Sequence, residues 1–441
     1  MKKYDEYKDS GVAWIGEVPK HWEVKKMNYH CSTITDFVAS GSFADLKRNV
    51  QYLGEPDYAM LIRTVDLSSN DKKQPPVYIS KSSYEFLSNS NLVGGEIILP
   101  NIGAVGNVYI VPKLYKHMSL APNAIMVRSY GNDKFLYYYF KSKPGVDSLT
   151  LIGISTVQDK FNKTELRSLR VLVPPVTEQT AIATYLDTHC AKIDNLISIQ
   201  QKRIALLQEL KQSVITHAVT KGLNPNVEMK QSGVEWIGDV PKHWEVKPLK
   251  HLAVLYPKSV CSNNKENIVS YAPMENVRND KLTEDEKKIT ELTSGLNTFY
   301  EGDILMAKVT PCFENGNIAI AHSLKHSQGY CSSELFVIRV KCINVRYLFY
   351  LLQNQDYKQV CLSTLTGTGG LKRVSADFIR SGKMPVPSQV DQAAITFYLD
   401  HKCATIDTSI SNAQHQIDLL QEYKQSLITE VVTGKRKVTD N

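Results

Sequence analysis

Three short stretches carry residue types that could bind phosphates or nucleobases. The glycines of GTGG (367–370) could cradle a phosphate, but the surrounding sequence is not that of a cofactor-binding fold, which favours a turn. The prolines of QPPV (74–77) and VPPV (173–176) lack the amide or carboxylate and the aromatic ring with which DNA-methylating enzymes grip a flipped base. The ATP-binding pattern G-x-x-x-x-G-K-[ST] is absent from the sequence. We therefore predict no catalytic residue in this chain.

Acidic, histidine and cysteine residues could instead form a metal site or a nucleophile–base pair. The acidic run TEDEKK (283–288) has no partner aspartate on a nearby strand, and we interpret it as a solvated helical face. His21 and His243 recur within a repeated PKHW, but no serine, cysteine or carboxylate recurs with them in a triad-like arrangement, which favours a structural role. The eight cysteines include no C-x-x-C pair. We predict no metal site and expect a reduced, cytoplasmic protein.

Composition and charge fit a globular protein with room for two or three domains. The 441 residues are 42% hydrophobic and 22% charged, and no run of about 18 apolar residues predicts a membrane span. The first residues lack the apolar stretch of a signal peptide. The net charge of +7 is compatible with a nucleic-acid partner, although ordinary solvated surface charge explains it equally well.

The sequence contains an internal repeat, which must be reflected in the fold. SGVAWIGEVPKHWEV (10–24) returns as SGVEWIGDVPKHWEV (232–246), with 13 of 15 positions identical. A second repeat relates VPPVTEQTAIATYLD (173–187) to VPSQVDQAAITFYLD (386–400). The segments between these repeats differ in most positions. Each half therefore contains a variable module that a tryptophan-rich stretch opens and a helical stretch closes.

The closing stretches carry the heptad pattern of a coiled coil. Seam positions alternate steps of four and three residues over more than three heptads in both copies, and a lysine, Lys211 or Lys424, occupies the same seam position in each. Two separate amphipathic helices are the alternative. A helix from Ile193 to Ala218 would extend about 38 Å, which is close to one turn of B-DNA. The predicted seam residues are Ile193, Ile197, Ile204, Leu207, Val214, Ile406, Ile410, Ile417, Leu420 and Leu427.

The variable modules have a mixed pattern. Short apolar runs bounded by Gly, Pro and Asn predict β-strands, and the aromatic segments FLYYYF (135–140) and YLFYLL (347–352) predict a buried helix in each module. The predicted fold class is α+β, with two strand-rich modules joined by two long antiparallel coiled-coil helices in a pseudo-two-fold internal repeat. The predicted domains are a first module at 1–172, a spacer helix at 173–222, a second module at 223–385 and a second spacer helix at 386–441.

The order of these motifs resembles the specificity subunit of type I DNA restriction–modification enzymes. The resemblance rests on W-I-G-x-V-P-x-x-W, a strand-rich module, V-P-P-x-x-E-Q-x-x-I-A-x-x-L-D and a long heptad helix, all repeated over almost the whole chain. The second copy departs from this pattern at Asp391, which replaces Glu178, and at Ser388, which replaces Pro175. Because Ser388 precedes Asp391 by three residues, we expect a capping box at the start of the second helix.

The resemblance implies a division of labour between this chain and its partners. Each module would be a target recognition domain that reads one half of an asymmetric, bipartite site on double-stranded DNA. The helices would dock two methyltransferase subunits, which bind S-adenosylmethionine and methylate adenine at N6, and restriction subunits would join them. The chain itself would bind no cofactor, touch no membrane and catalyse nothing. The alternatives are a self-contained DNA methyltransferase or nuclease, and a coiled-coil adaptor that binds only proteins.

Side chains suited to DNA are concentrated in the polar loops of the modules. Base edges in the major groove are read by Arg, Lys, Asn and Gln, whereas Lys and Thr often hold phosphates. We expect the loops GISTVQDK (153–160) and TGTGGLKR (366–373) to contact DNA, because they occupy matching places before the helical stretches. The predicted DNA-binding residues are Asn101, Asn107, Thr156, Gln158, Lys160, Lys308, Thr310, Asn315, Thr368, Lys372 and Arg373.

Overall fold

The computed structural model has the predicted α+β fold and describes residues 3–12, 14–68, 74–154, 159–257, 266–278, 280–367 and 372–438. Contacts between α-carbons divide the chain into two compact units. Each unit contains one strand-rich module and a segment of each of two long helices. The division into four domains that the sequence predicts places its borders between modules and helices instead, and it stays a prediction. The units are Met1–Gln200 with His415–Asn441, and Gln201–Gln414.

Short strands and helices form the module of the first unit. The elements are β1 (Tyr7–Asp9), β2 (Glu17–Pro19), β3 (Glu23–Lys26), α1 (Met27–His30), β4 (Cys31–Asp36), α2 (Phe43–Asn49), β5 (Ala59–Ile62), α3 (Thr64–Leu67), β6 (Val77–Ile79), α4 (Lys81–Phe86), β7 (Asn91–Leu92), β8 (Ile97–Pro100), β9 (Tyr109–Ile110), β10 (Met118–Leu120), β11 (Ala124–Ser129), α5 (Asp133–Lys141), α6 (Lys143–Gly153), α7 (Lys163–Ser168) and β12 (Arg170–Val173). In one sheet the strand order is β4-β11-β8-β9, and in another it is β6-β5-β10-β7, where β5 and β10 run parallel. Strand β12 pairs with β3, and β1 pairs with β2.

The module of the second unit repeats this plan. Its elements are β13 (Met229–Gln231), β14 (Asp239–Pro241), β15 (Glu245–Pro248), α9 (Leu249–Leu252), β16 (Ala253–Leu255), β17 (Ile268–Ala272), β18 (Val277–Arg278), β19 (Lys281–Leu282), β20 (Asp285–Lys288), β21 (Asn297–Tyr300), β22 (Ile304–Ala307), β23 (Ile318–Ile320), β24 (Gln328–Cys331), β25 (Leu335–Val340), α10 (Val345–Gln353), α11 (Gln355–Leu362), α12 (Ala376–Ser381) and β26 (Lys383–Val386). The sheets have the orders β16-β25-β22-β23 and β20-β17-β24-β21, where β17 and β24 run parallel, and β15 pairs with β26.

The apolar runs of the sequence form strands of these sheets, as predicted. All four residues of β8 and of β22 are buried, as expected for strands that are covered on both faces. The aromatic segments form α5 and α10, and the side chains of Asn132 and Asn344 cap their first turns. One interpretation was wrong: Asp285–Lys288 is an edge strand of a sheet, not a helical face. Three of its four charged side chains are exposed, so this edge strand has the same polar pattern as a solvated helical face.

The two closing stretches are the longest helices, α8 (Val176–Lys221) and α13 (Gln389–Val432). In each unit a segment of α8 packs against a segment of α13, and apolar residues of both segments belong to the core of the module. In the first unit, residues near the start of α8 lie close to the end of α13, while Asp194, farther along α8, pairs with the earlier Lys424 at 2.6 Å. The two segments therefore run antiparallel. The second unit has the equivalent pair of Lys211 and Asp407 at 2.7 Å.

Candidate nucleic-acid interface

In each unit the tryptophan-rich stretch, residues 10–24 or 232–246, packs against the start of one long helix and the end of the other. We call this stretch the socket. Trp22 is fully buried, and its indole Nε1 donates a hydrogen bond at 3.0 Å to Glu178 in the first turn of α8. The same ring packs beside Gly434, which follows α13. His21 lies 2.6 Å from the other oxygen of Glu178. The repeated histidine thus contacts a carboxylate of the helix start, which agrees with the structural role predicted for it.

In the second unit the socket keeps its form with a shorter carboxylate. Trp244 is 2% exposed and lies against Gly222, which follows α8. His243 lies 3.4 Å from Asp391. Asp391 also accepts a hydrogen bond at 2.9 Å from the Ser388 hydroxyl, whose oxygen in turn accepts one at 3.1 Å from the Asp391 amide. The amide bond is one half of the capping box expected from the sequence. In the other half the Asp391 carboxylate binds the Ser388 hydroxyl in place of the Ser388 amide.

A buried glutamine joins each module to its helix. The side-chain oxygen of Gln179 accepts a hydrogen bond at 2.8 Å from the amide of Asn132, which begins α5, and its nitrogen donates one at 2.8 Å to the Pro174 carbonyl. Gln392 makes the same bonds to Asn344 at 2.8 Å and to Pro387 at 2.9 Å. Because both ends of the amide are used, the glutamine fixes the direction of the helix relative to its module.

A tyrosine–aspartate pair makes a second attachment about two helical turns farther along each long helix. Tyr138 donates to Asp187 at 2.9 Å, and Tyr350 donates to Asp400 at 2.7 Å. A cation, Lys134 in the first unit and Arg346 in the second, also binds each aspartate. Burial, together with the bond to aspartate, raises the pKa of both tyrosines, so the phenol stays protonated and remains a donor. The repeated aspartates hold helices in place and show no triad-like geometry.

The predicted seam residues of the helices are all buried or half-buried, whereas other large apolar residues of the same helices are exposed. Ile193, Ile406, Ile417 and Leu427 are at most 6% exposed. The seam lysines reach aspartates of the opposite helix, which agrees with a role in fixing register. The half-buried seam residues are Ile197, Ile204, Leu207, Val214, Ile410 and Leu420.

In the first module, two predicted DNA-binding segments lie side by side. Asn101 follows β8, and its side-chain Nδ2 donates to the Phe161 carbonyl at 3.0 Å. The next residue, Ile102, forms an antiparallel bridge with Lys160. Lys160 is exposed and available to a ligand, whereas the Nδ2 donor of Asn101 is already engaged by the backbone.

In the second module, Lys308, Thr310, Lys372 and Arg373 also come together. Val309 bridges Arg373 in the antiparallel sense, and the Thr310 amide donates to the Lys372 carbonyl at 2.9 Å. The Thr310 side chain is buried, with 8% exposure, and lies against the backbone of Lys372, so little of it faces a ligand. Lys372 is exposed and Lys308 is half-buried.

The remaining predicted DNA-binding residues are more scattered. Asn107 and Asn315 are exposed in the turns that follow β8 and β22. Thr156, Gln158 and Thr368 lie outside the described residues. DNA contact by any of these side chains stays a prediction.

The two modules present these segments on the same backbone frame. The Phe161 amide donates to the Asn101 carbonyl at 3.1 Å, and the Val374 amide donates to the Lys308 carbonyl at 2.9 Å. Asn101 and Lys308 therefore occupy equivalent positions. Because Ile102 bridges Lys160 as Val309 bridges Arg373, Lys160 and Arg373 are equivalent as well.

A third position in this frame was not found from the sequence. The amides of Asn101 and Lys308 donate at 3.1 Å to the carbonyls of Asn123 and Glu334, respectively. Asn123 directly precedes β11, and Glu334 directly precedes β25. Glu334 binds the Arg373 guanidinium, from Nε at 3.0 Å and from Nη2 at 2.8 Å. Arg373 and, more weakly, Lys308 hold the pKa of the Glu334 carboxyl below its ordinary range.

A buried ion pair supports the frame from inside each module. Glu96, which is 1% exposed, accepts hydrogen bonds from the amides of Val93 and Gly94 at 2.8 Å and pairs with Arg128. Burial of Glu96 acts to raise its pKa, but the amide of Val93 and the guanidinium of Arg128 outweigh this effect and hold the pKa below its ordinary value. In the second module the buried Asp303 pairs with Arg339 at 2.7 Å.

Within the described part of the chain, no cluster of three or more His, Cys, Asp or Glu side chains could hold a metal ion. The same part of the chain contains no helix that is long and apolar enough to cross a membrane. The arrangement that the structure does provide is a pair of polar, cation-bearing surfaces, one in each module, on a shared backbone frame.

Comparison with known proteins identifies the family. The family model for the type I restriction modification DNA specificity domain matches residues 28–208 and again residues 241–417. A chain of Methanocaldococcus jannaschii, provisionally named the type I restriction enzyme MjaX specificity subunit, is 24% identical over 96% of both chains. The EcoEI specificity subunit of Escherichia coli is 30% identical over 45% of this chain and 34% of its own length.

The fold is also found among solved structures. A chain from a structure that addresses complex assembly and conformational transition of a type I R-M system superposes with a TM-score of 0.69, covering 95% of this chain and 99% of that one at 13% identity. At that identity the match shows the shared fold only. The two matches to the family model cover well over half of the sequence, and this chain therefore belongs to the family of type I restriction–modification DNA specificity proteins.

Proposed function

We propose that this chain is the DNA-reading subunit of a type I restriction–modification complex, and that each module reads one half of an asymmetric, bipartite site. The observation that carries the proposal is the shared backbone frame with different side chains. Asn101 and Lys160 in one module occupy the positions that Lys308 and Arg373 occupy in the other. Because the ammonium of a lysine and the planar fork of an arginine favour different base contacts, equal frames with Lys160 in one module and Arg373 in the other should select unequal half-sites.

The chemistry would belong to partner subunits. We propose that two methyltransferase subunits bind S-adenosylmethionine and methylate adenine at N6, that restriction subunits join them, and that this chain performs no catalysis. Family relatives that carry the name specificity subunit support this assignment. The repeated His–carboxylate and Tyr–Asp contacts of this chain are used to attach helices, which leaves those groups without a catalytic role in the proposal.

The long helices offer an equivalent docking surface in each unit. Leu206 and Leu210 of α8 are 65% and 49% exposed in the second unit. Leu419 and Tyr423 of α13, at the matching repeat positions, are 50% and 48% exposed in the first unit. Two exposed residues four positions apart lie on one helix face. We infer that this pair, present once in each unit, is where the two methyltransferase subunits bind.

Mapping N6-methyladenine across the host genome tests the proposed function. Strains with the gene intact, deleted and restored should show one methylation motif that disappears on deletion and returns on restoration. We expect two unlike half-sites separated by a fixed number of unspecified base pairs. A motif that persists without the gene, or a perfectly palindromic motif, would contradict the proposal. Methyl transfer to DNA by the purified chain without any other subunit would contradict it as well.

A further inference from the structure

The second module carries an arginine whose geometry suits a particular base. Glu334 holds the side edge of the Arg373 guanidinium through Nε and Nη2. A guanidinium has five N–H donors in a planar fork, so this contact leaves both N–H groups of Nη1 and the second one of Nη2 available. One N–H of Nη1 and the remaining N–H of Nη2 point along the end of the fork, which is the edge that can bind O6 and N7 of guanine together.

The pair is placed where a ligand can reach it. The Arg373 and Glu334 side chains are 46% and 29% exposed. Arg373 is held by two backbone bridges, to Val309 and to Thr366, so the base of its side chain is fixed on the module. A carboxylate that orients a partly exposed guanidinium reduces the number of conformations that must be lost on binding.

We propose that Arg373 reads a guanine in the half-site of the second module and that Glu334 is the positioning residue that holds its fork toward the base. This inference rests on the proposed function and adds to it the base and the two residues. Lys308, whose backbone is bonded to that of Glu334, adds positive charge beside the Arg373–Glu334 pair and would contact the DNA backbone.

The first module lacks the residues for this reading of guanine, so the proposal concerns the second module only. Its equivalent residues are Asn101, Asn123 and Lys160, and a lysine has no planar fork with which to bind guanine through two nitrogens. Asn123 places an amide where the second module has a carboxylate. We therefore expect a guanine to be read by an oriented guanidinium only in the half-site of the second module.

An exchange of Arg373 for lysine tests the reading itself, because lysine keeps the charge and loses the fork. The probe is an oligonucleotide set that contains the mapped site and every single-base-pair change in both half-sites. The readout is the rate of N6-methyladenine formation by the full chain assembled with its methyltransferase subunits. We expect Arg373→Lys to reduce discrimination roughly 5- to 150-fold at one G·C pair of one half-site and to leave the other half-site unchanged.

A second variant tests the positioning residue. Glu334→Gln keeps the shape of the side chain and removes its charge, so it should reduce discrimination at the same base pair as Arg373→Lys. The matched control is Arg380→Lys, which alters an exposed arginine paired with Asp377 at 3.0 Å in α12, outside the proposed reading site. We expect this control to preserve the wild-type preference at every position.

The outcomes separate this inference from the proposed function. If methylation does not depend on the wild-type chain, the proposed function fails. If the wild-type site is methylated but its affected half-site has no guanine on either strand, the inference fails while the function stands. The inference fails also if both variants keep the wild-type preference, or if they weaken all base pairs evenly, since that is the effect of a phosphate contact. Retained reading of the unaltered half-site shows that each variant is folded.

Discussion

The contacts of single residues explain which residue types recur in the repeated motif at 173–187 and 386–400. Gln179 and Gln392 use both ends of their amides, so neither glutamate nor leucine could replace them without leaving a buried polar group unpaired. Asp187 and Asp400 accept from a tyrosine of the neighbouring aromatic helix. The repeat thus records the attachment of a module to a helix, made once in each unit.

The buried carboxylate of Glu96 predicts a pH-dependent contribution to stability. Its pKa in the folded chain lies below 4.5, the ordinary value, so ionised Glu96 stabilises the fold above about pH 4.5 and this contribution is lost as the pH falls through the lowered pKa. We expect Glu96→Gln to cost about 1.5–3 kcal/mol near neutral pH, the size of charge-assisted hydrogen bonds. Urea unfolding at several pH values should show the difference from wild type shrink in acid. A difference that does not change with pH would contradict this prediction.

The place of Glu334 beside Arg373 could not be predicted from the sequence. Lys308 and Arg373 were singled out because their side chain types suit DNA, but Glu334 lies 39 positions from Arg373 in the chain. Only the pairing of β22 with β25, which places Ala307 opposite Leu335, brings Glu334 beside Lys308. Strand register is a long-range property, and local pattern does not encode which residue will follow the facing strand.

At the scale of elements, the glycine after each long helix has a backbone angle and a location that favour glycine. Gly434 has φ +72°, and a Cβ there would overlap the ring of Pro19 in the socket. Gly16, in the same unit, has the same φ but no heavy atom within 4 Å of the position of a Cβ. The two positions therefore separate backbone strain from crowding.

We expect Gly434→Ala to destabilise the first unit more than Gly16→Ala does. The left-handed backbone costs either alanine about 1–2 kcal/mol, and overpacking against Pro19 adds about 1–3 kcal/mol at Gly434 alone. Thermal unfolding followed by circular dichroism measures both variants. Equal losses would mean that the socket opens to admit the methyl group.

The helices were the most predictable elements, because their evidence is local. Heptad steps of three and four residues predicted every seam residue to face a neighbour, and each is buried or half-buried. The strands were also predictable, since short apolar runs bounded by turn residues leave few alternatives. The pairing order of the strands was not predictable, because the parallel pair of β5 with β10 joins segments separated by more than 50 residues.

For the molecule as a whole, the exposed pair Leu206 and Leu210, repeated as Leu419 and Tyr423, predicts that two methyltransferase subunits bind. Leu206→Glu with Leu210→Glu should leave one methyltransferase subunit bound, and adding Leu419→Glu with Tyr423→Glu should remove both, since buried charge opposes docking. Native mass spectrometry of the assembled complex measures the number of subunits. Gln201→Glu with Gln208→Glu, exposed polar positions of the same helix, is the matched control. Two subunits bound to the quadruple variant would exclude this surface.

The sockets have a consequence for the exchange of backbone amides with solvent. In the second unit, residues 223–228 connect Gly222 directly to the strand pair that begins the next module, so the end of α8 and its socket are neighbours in the chain. In the first unit, the corresponding attachment is made without such a link, through a hydrogen bond of 3.1 Å from the Tyr7 hydroxyl to the Gly434 carbonyl. When the contact between Tyr7 and Gly434 opens, the end of α13 is released, and no short loop connects it to its socket. The last turns of α13 should therefore exchange amide hydrogens faster than the last turns of α8.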